Sequence, residues 1–178
     1  GVSNTQDVFP TNPAETRDTD NDGIGDNADT DDDNDGTPDA EENAPLKVLF
    51  IGNSYTSVNN LPTLFSQVAV SKGYTVETTM VTPGSYWFKD HVSSNATMSA
   101  IDAQQWDYIF LQNQSQIPGW KSGAVSAQSL PHAQTLVDAI KANNADTNLV
   151  YFVTWGRENG DQENCEYYPL VCTYEGHT

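Results

Sequence analysis

The sequence contains few basic side chains for its length, and its acidic side chains greatly outnumber them. Only 7 of its 178 residues are Lys or Arg, against 25 Asp and Glu, and the formal net charge is −18. So little positive charge cannot neutralise a run of phosphates, which excludes the usual nucleic-acid partners and docking on an anionic membrane. The sequence also contains no apolar run of about 18 residues, so we expect no membrane span.

Cysteine is scarce as well. The two cysteines, Cys165 and Cys172, lie in one loop-like stretch, and their spacing fits no zinc-binding template. We therefore favour a local disulfide, typical of an oxidising compartment, over a metal site or two unrelated thiols. The sequence begins with Gly and contains no signal peptide, as expected of a processed, secreted chain.

The acidic residues are concentrated in the first quarter of the sequence. Residues 1–45 hold 14 Asp and Glu against one Arg, while residues 46–178 hold 11 acidic and 6 basic residues. The first stretch has almost no large apolar side chains, so it cannot fold by burying a hydrophobic core. The second stretch can form one, and we therefore predict two domains, 1–45 and 46–178.

Two copies of one acidic pattern, 13 residues apart, occupy positions 18–42. Each copy has oxygen-bearing residues at positions 1, 3, 5, 9 and 12, a backbone carbonyl available at position 7, and Gly at position 6, as in calcium-binding loops. A passive acidic linker is the alternative, but it gives no reason for the repeated Gly. The predicted ligands are Asp18, Asp20, Asp22, Ile24, Asp26 and Asp29, then Asp31, Asp33, Asp35, Thr37, Asp39 and Glu42.

No amphipathic helices flank these loops, which disfavours a paired EF-hand. The segment DVFPTNPAETRDTDNDGIGDNADTDDDNDGTPDAEE instead resembles thrombospondin type 3 repeats, in the cysteine-free form of bacterial secreted proteins. The resemblance implies about two to four Ca²⁺ ions wrapped by a chain with little core. It also implies a secreted, periplasmic or cell-surface bacterial protein.

Beyond Pro45 the sequence alternates between strand and helix patterns. Short apolar or β-branched runs predict strands at 47–51, 75–81, 106–112 and 149–155. Apolar residues at helical spacing predict helices over 60–72, ended by Gly73, and over 126–143, with Pro131 in the first turn. This alternation indicates a parallel α/β sheet with right-handed crossovers.

Polar or Gly-rich residues follow each predicted strand, at the edge where parallel sheets bind ligands. Gly52, Asn53 and Ser54 follow the first strand, where a tight turn would expose the serine hydroxyl for nucleophilic attack. An ordinary turn is the alternative, because Ser and Asn are frequent turn residues.

The ordered blocks VLFIGNSYT, TPGS and IFLQNQSQ resemble those of the SGNH (GDSL-like) hydrolases over residues 46 to about 176. The resemblance implies a three-layer α/β/α flavodoxin-like fold with Ser54 as the nucleophile. It also implies an oxyanion hole formed by the backbone N–H groups of Ser54 and Gly84 and by one side-chain amide. Asn113 is our first choice for that amide and Gln112 the second, and Gln114 remains open.

The histidine base of such a hydrolase is not identifiable. The family carries it in an Asp-x-x-His motif near the C-terminus, and none of His91, His132 and His177 lies in such a motif. We expect structural or surface roles for His91 and His132. The domain is therefore expected to lack its last strand, last helix and Asp-x-x-His, which a second chain or a C-terminal fragment would complete.

Trp155 and Arg157 follow the last predicted strand and are candidates for binding a sugar or an anionic group. An Arg–Glu pair that only holds the loop is the alternative. Two functions are consistent with these patterns. The first is a secreted serine ester hydrolase acting on an ester or carbohydrate ester, such as an O-acetylated polysaccharide. The second is a calcium-dependent structural or adhesive extracellular subunit whose hydrolase-like domain is inactive or incomplete.

Overall fold

A computed structural model describes residues 2–3, 5–42, 44–117, 120, 122–154, 159–160, 162, 165–166 and 172. The chain forms two compact units, Gly1–Pro45 and Leu46–Thr178. None of the helices in the described ranges has both the length and the apolar character that crossing a bilayer requires.

Turns rather than regular elements build the first unit, in which the helix α1 (Asp39–Glu42) is a single turn. The two acidic copies place Asn and Gly in left-handed backbone at matching positions. Asn21 and Asn34 have φ of 66° and 55°, and Gly23 and Gly36 have φ of 97° and 96°. Because Gly and Asn adopt this conformation more readily than other residues, the two copies can make the same sharp bend.

The first unit buries a carboxylate. Glu15 is only 5% exposed, and its Oε2 accepts hydrogen bonds from the backbone N–H of Asn27 at 3.0 Å and from Asn27 Nδ2 at 3.1 Å. A Cβ at Gly25 would overlap the Glu15 carboxyl group, so a larger residue there would displace this side chain. At Glu15, polar contacts therefore hold this unit where a larger domain would use apolar packing.

In the described part of the second unit, four parallel strands form a sheet, and the predicted α/β class is confirmed. They are β1 (Leu46–Ile51), β2 (Val76–Val81), β3 (Tyr108–Leu111) and β4 (Asn148–Tyr151), in the order β2-β1-β3-β4. Since the chain moves from β1 to β2 on one side and then crosses to β3 on the other, the strand order reverses at β1. Ligands of such sheets bind outside the carboxyl ends of the strands at this point.

The helices predicted over 60–72 and 126–143 correspond to α3 (Leu61–Val70) and to α6 (Ser122–Gln128) with α7 (Leu130–Asn143). Pro131 lies in the first turn of α7, and Gly73 has φ of 93° just beyond α3. The remaining helices are α2 (Ser54–Ser57), α4 (Phe88–Val92) and α5 (Asn95–Asp102), with a 3₁₀ turn at Val58–Asn60. They are too short to show the apolar period that would have predicted them.

Helices cover both faces of the sheet. On one face the inward residues of β1 and β3 join side chains of α4, α5 and α7 in one buried cluster, which contains Leu49, Ile51, Phe88, Ile101, Ile109, Leu111, Leu136 and Ile140. On the other face the rings of Phe50 and Phe110 stack with centroids 4.6 Å apart, and Phe65 of α3 meets both edge-on. The unit is therefore the three-layer α/β/α arrangement of flavodoxin-like folds.

Only part of the C-terminal stretch is described. Cys165 and Cys172, seven positions apart in sequence, form the predicted disulfide and close a short loop. Trp155 and Arg157 lie outside the described residues.

Truncating the centre of the sheet should destabilise the second unit. Ile109 is completely buried in the cluster described above, so Ile109→Ala is expected to lower the free energy of unfolding by about 2–5 kcal/mol in urea titrations. Val68 on α3 is 64% exposed, and Val68→Ala is the control, with a change of about 0.5 kcal/mol or less. Equal losses for the two variants would contradict this placement of the core.

Candidate functional site

Ser54 stands exposed at the carboxyl end of β1. The three residues before it, from Ile51 to Asn53, are buried, and Ser54 is the first residue of α2. Asn53 caps this helix, because its Oδ1 accepts a hydrogen bond from the backbone N–H of Tyr55 at 3.1 Å. Asn53 Nδ2 donates to the carbonyl of Tyr86 at 3.0 Å, which ties the turn to the loop after β2.

A small polar pocket contains Ser54. Its lining comes from the loops that follow β1, β2 and β3 and consists of Asn53, Ser54, Tyr55, Ser85, Gln114, Ser115 and Gln116. Every one of these side chains carries a hydroxyl or an amide. The described lining thus offers hydrogen bonds without a carboxylate, an ammonium or an imidazole.

Gln112 joins the loops after β1 and β3. Its buried Oε1 accepts hydrogen bonds from the backbone N–H of Asn53 at 2.9 Å and from Thr56 Oγ1 at 3.0 Å, and its Nε2 donates to the carbonyl of Asn113. A Cβ at Gly52 would lie 2.5 Å from Thr56 Oγ1 and 2.7 Å from Gln112 Oε1. Position 52 therefore requires glycine for this close approach.

The three candidates for the oxyanion amide have different surroundings. Asn113 Nδ2 donates to Ser129 Oγ at 2.7 Å, and Asn113 Oδ1 accepts from the backbone N–H of Phe88 at 3.1 Å. The amides of Gln112 and Asn113 thus make internal hydrogen bonds outside the pocket lining, whereas Gln114 lines the pocket together with Ser54. The Gln114 amide has internal partners too, since its Nε2 donates to Gln116 Oε1 at 2.7 Å and its Oε1 accepts from the Gln116 backbone N–H at 2.6 Å. Its place in the lining beside Ser54 is what distinguishes it from our first and second choices.

The loop after β2 presents Ser85, rather than Gly84, to the pocket. Gly84 is exposed, with no atom within 4 Å of its Cβ position, and lies outside the lining. Ser85 lines the pocket with φ of 64°, a left-handed conformation that is uncommon for serine and that often marks functional sites. No motif in the sequence points to Ser85, and only its position next to Gly84 could have indicated it.

Histidine is absent from the described lining of the pocket. His91 is completely buried, with Nε2 3.0 Å from the carbonyl oxygen of Gly52 and Nδ1 2.8 Å from Thr97 Oγ1. Burial lowers the pKa of His91, against the opposing effects of the Gly52 hydrogen bond and the Asp90 charge. His132 is half-buried on α7, and His177 lies outside the described residues.

The two acidic copies fold into matching loops. In each loop the carboxylates of positions 1, 3 and 5 place oxygens within 4.8 Å of one another, which brings together Asp18, Asp20 and Asp22, and likewise Asp31, Asp33 and Asp35. The backbone N–H of the glycine at position 6 donates to the first Asp, at 3.2 Å for Gly23 and 3.1 Å for Gly36. Carboxylates this close repel one another unless a cation lies between them.

One carboxylate oxygen at the start of each loop has no hydrogen-bond donor. Asp18 Oδ1 and Asp31 Oδ1 are both buried and unpartnered. A buried anionic oxygen without a partner is unfavourable, and coordination of a cation would satisfy it. The oxygen donor set also matches the preference of Ca²⁺, so these residues fit the predicted ion.

The structure does not bring all twelve predicted ligands together. At position 9, Asp26 accepts hydrogen bonds from the backbone N–H of Thr19 at 2.8 Å and from its hydroxyl at 2.9 Å, and Asp39 accepts from the backbone N–H of Asp32 at 2.9 Å. At position 12, Asp29 accepts from the backbone N–H groups of the next two residues. These side chains hold the loop backbone and lie outside the three-carboxylate clusters.

The remaining predicted ligands are those at position 7 of both loops and Glu42 at position 12 of the second. The backbone N–H groups of Ile24 and Thr37 at position 7 donate to the carboxylates at position 5, at 2.7 and 2.8 Å. The side chain of Glu42 lies outside the described part of the chain.

Contacts between the two loops involve residues outside the calcium-loop template. Asn34 Nδ2 of the second loop donates to Asp20 Oδ2 of the first. Asp32 Oδ1 is buried without a hydrogen-bond donor, and burial together with the Asp39 carboxylate raises the pKa of Asp32. Asp32 stands at position 2 of its loop, where the template assigns no ligand, so no sequence signal could have indicated it.

Comparisons with known proteins identify the fold. No protein-family model and no curated protein matches the chain. It resembles a solved structure described as a putative SGNH hydrolase from Slackia heliotrinireducens, with 20% identity and a TM-score of 0.58, over 75% of this chain and 68% of that one. It also resembles a DUF4886 family protein from Bacteroides uniformis, with 21% identity and a TM-score of 0.60, over 75% of this chain and 59% of that one. The likeness shows an SGNH-like fold.

The surroundings of Gly52 and Gly84 predict effects of different size for two glycine substitutions. Gly52→Ala would place a methyl group against Thr56 and Gln112, and we expect it to lower the free energy of unfolding by about 1–3 kcal/mol. Gly84→Ala meets open space, and a change of about 0.5 kcal/mol or less is expected. Urea unfolding measures both, and a tolerated Gly52→Ala would show that the turn is less tightly packed than described.

Proposed function

We propose that the second unit is a serine ester hydrolase with Ser54 as its nucleophile. The observation that carries this proposal is the exposed Ser54 at the carboxyl end of β1, sharing a polar pocket with Gln114 and Ser85. Parallel sheets place their reactive groups at this edge, where the strand order reverses. The fold shared with the Slackia protein adds support.

The proposed reaction proceeds through an acyl-enzyme. Ser54 Oγ forms a bond to the ester carbonyl carbon while a base takes the hydroxyl proton, and the carbonyl oxygen becomes an oxyanion. The side-chain amide of Gln114 and the backbone N–H groups of Ser54 and of Gly84 or Ser85 are the donors for that oxyanion. The C–O bond to the alcohol then breaks, and the alcohol leaves with the proton. Water hydrolyses the acyl-enzyme, releases the acid and restores the Ser54 hydroxyl.

The base of this reaction is not among the described residues of the pocket. His91 is buried against Gly52 and Thr97 and does not line the pocket, so it is a poor candidate. The proposal therefore requires an imidazole or carboxylate from outside the described residues, from a C-terminal continuation or from a second chain. A serine without any base would react far more slowly.

The composition of the pocket favours a short, polar ester. Its described lining consists only of hydroxyl- and amide-bearing side chains, which suit an acetyl group on a hydroxyl-rich alcohol better than a long acyl chain. An O-acetylated polysaccharide is the substrate class we propose, with Trp155 and Arg157 as its further contacts. The disulfide supports a secreted or cell-surface location.

We propose in addition that the first unit binds Ca²⁺. The two clusters of three carboxylates and the unpartnered oxygens of Asp18 and Asp31 support at least one ion in each loop, and about two to four in total. The ions would replace carboxylate repulsion with coordination and so hold a unit whose described residues include no buried large apolar side chain. They take no part in the proposed ester hydrolysis.

A second candidate function is a structural or adhesive extracellular subunit that depends on calcium. The absence of an imidazole from the described pocket lining favours it, since the serine would then be inert. The two functions can be distinguished by the reactivity of Ser54. The hydrolase predicts that Ser54 reacts with an ester or with a phosphonate probe, and the structural subunit predicts that it does not.

Ser54 should be the reactive residue of the complete gene product. A fluorophosphonate probe is expected to label Ser54, as located by peptide mass spectrometry, and Ser54→Ala should lower 4-nitrophenyl acetate hydrolysis by about a thousandfold or more. Ser57→Ala, on the same short helix but outside the pocket lining, should retain activity. Absence of labelling in the wild type would favour the structural subunit, and unchanged hydrolysis by Ser54→Ala would overturn the nucleophile.

Calcium removal should open the first unit alone. EDTA is expected to speed proteolysis within residues 18–42 by about tenfold or more, because the carboxylates then repel one another, while residues 46–154 stay protected. Replacing Asp18 and Asp31 by Asn should mimic EDTA, whereas Asp146→Asn, an exposed change in the second unit, should not. Failure of calorimetry to detect calcium binding would contradict the proposal, and equal EDTA sensitivity of both units would contradict their independence.

A further inference from the structure

His91 is a buried, titratable side chain that the proposed reaction does not use. It lies on α4, has no exposed surface and forms hydrogen bonds through both ring nitrogens. Because a carbonyl oxygen can only accept, His91 Nε2 donates to Gly52, and the neutral ring accepts the Thr97 hydroxyl proton at Nδ1. The lowered pKa of His91 agrees with this neutral state.

The peptide group that joins Gly52 to Asn53 is held at both of its polar ends. Its carbonyl oxygen accepts from His91 Nε2 at 3.0 Å, and its N–H donates to Gln112 Oε1 at 2.9 Å. Both partner side chains are buried, with exposed fractions of 0% for His91 and 1% for Gln112. Two side chains from different parts of the chain therefore fix the orientation of one peptide plane.

This peptide plane immediately precedes the candidate nucleophile. Rotation of the plane would change the direction in which the chain enters α2 and would move Ser54 relative to Gln114 and Ser85. Gly52 has no side chain that could limit such a rotation, and the close approach of Thr56 and Gln112 excludes a larger residue there. The two hydrogen bonds therefore supply a restraint that the residue itself lacks.

We propose that His91 is a positioning residue, which orients the Gly52–Asn53 peptide group and thereby holds Ser54 in the pocket. The effect on reactivity rests on the proposed function of Ser54, whereas the effect on the backbone does not. His91 acts through the Gly52 carbonyl and touches neither the substrate nor the reacting atoms.

A set of matched variants separates positioning from simple core packing. His91→Leu removes both hydrogen bonds, and His91→Gln keeps an amide donor near the position of Nε2. Thr97→Val removes the partner of Nδ1 and leaves the contact to Gly52 intact, so it is the control for a buried hydrogen bond lost on the same side chain. If His91→Leu does not fold, His91→Asn replaces it, because its shorter amide can reach only the Thr97 side.

Hydrogen exchange gives a readout that does not depend on catalysis. The amides of Tyr55, Thr56 and Ser57 are hydrogen-bonded within the turn that follows the fixed peptide. Exchange is measured with denaturant added so that all variants have the same free energy of global unfolding. We then expect these amides to exchange about tenfold faster in His91→Leu than in the wild type. In His91→Gln and Thr97→Val, their rates should stay within about twofold of the wild type. Similar exchange in His91→Leu and Thr97→Val, or no change in His91→Leu, would overturn the proposal.

The rate of fluorophosphonate labelling tests the link to Ser54. We expect the second-order labelling rate to fall by about tenfold in His91→Leu and to remain near the wild-type value in Thr97→Val. If exchange changes as expected and the wild type is not labelled, the proposed function fails and the backbone role of His91 stands. If the wild type is labelled and the rate in His91→Leu equals it, the positioning of Ser54 by His91 is overturned.

Discussion

The hydrogen bonds accepted by Gln112 Oε1 are the constraint on which the candidate site depends. This one oxygen receives the backbone N–H of Asn53 and the hydroxyl of Thr56, and so joins the loop after β3 to the turn after β1. The strands meet side by side at Ile51 and Leu111, and Gln112 continues that pairing beyond the end of the sheet. The arrangement requires glycine at position 52 and leaves Ser54 as the first exposed residue after β1.

The polar groups around Ser54 fall into two sets, one buried within the protein and one lining the pocket. Gln112, Thr56 and His91 are buried outside the pocket lining, and their hydrogen bonds are made within the protein, as buried polar groups require. Ser54, Ser85 and Gln114 line the pocket and remain accessible to a ligand. In general, buried side chains whose hydrogen bonds are all made hold the accessible side chains above them in a fixed geometry.

The two units obtain their structure from different forces. The second unit buries aliphatic side chains on one face of its sheet and phenylalanine rings on the other. The first unit has a repeated pattern of carboxylates, Asn and Gly. Its hydrogen bonds from the glycine N–H to the first Asp carboxylate of each loop recur at a spacing of 13 residues. Its negative charges oppose compaction unless cations bind. Most of the formal net charge of the chain lies in these acidic loops.

The sequence alone determined the parallel α/β class, the two longer helical regions, the repeated acidic loops and the turn at Ser54, because each follows from a local pattern or from fixed spacing. It could not determine α4 and α5, which are too short to show a period, nor the choice among Gln112, Asn113 and Gln114. Only the tertiary structure shows that Gln112 bonds to Asn53 and Asn113 to Ser129, partners distant in sequence, and that Gln114 lines the pocket with Ser54. The positions of Ser85, Asp32 and His91 likewise follow only from the tertiary structure, because burial and hydrogen-bond partners distant in sequence leave no local signal. His91 and Gly52, for example, are 39 residues apart.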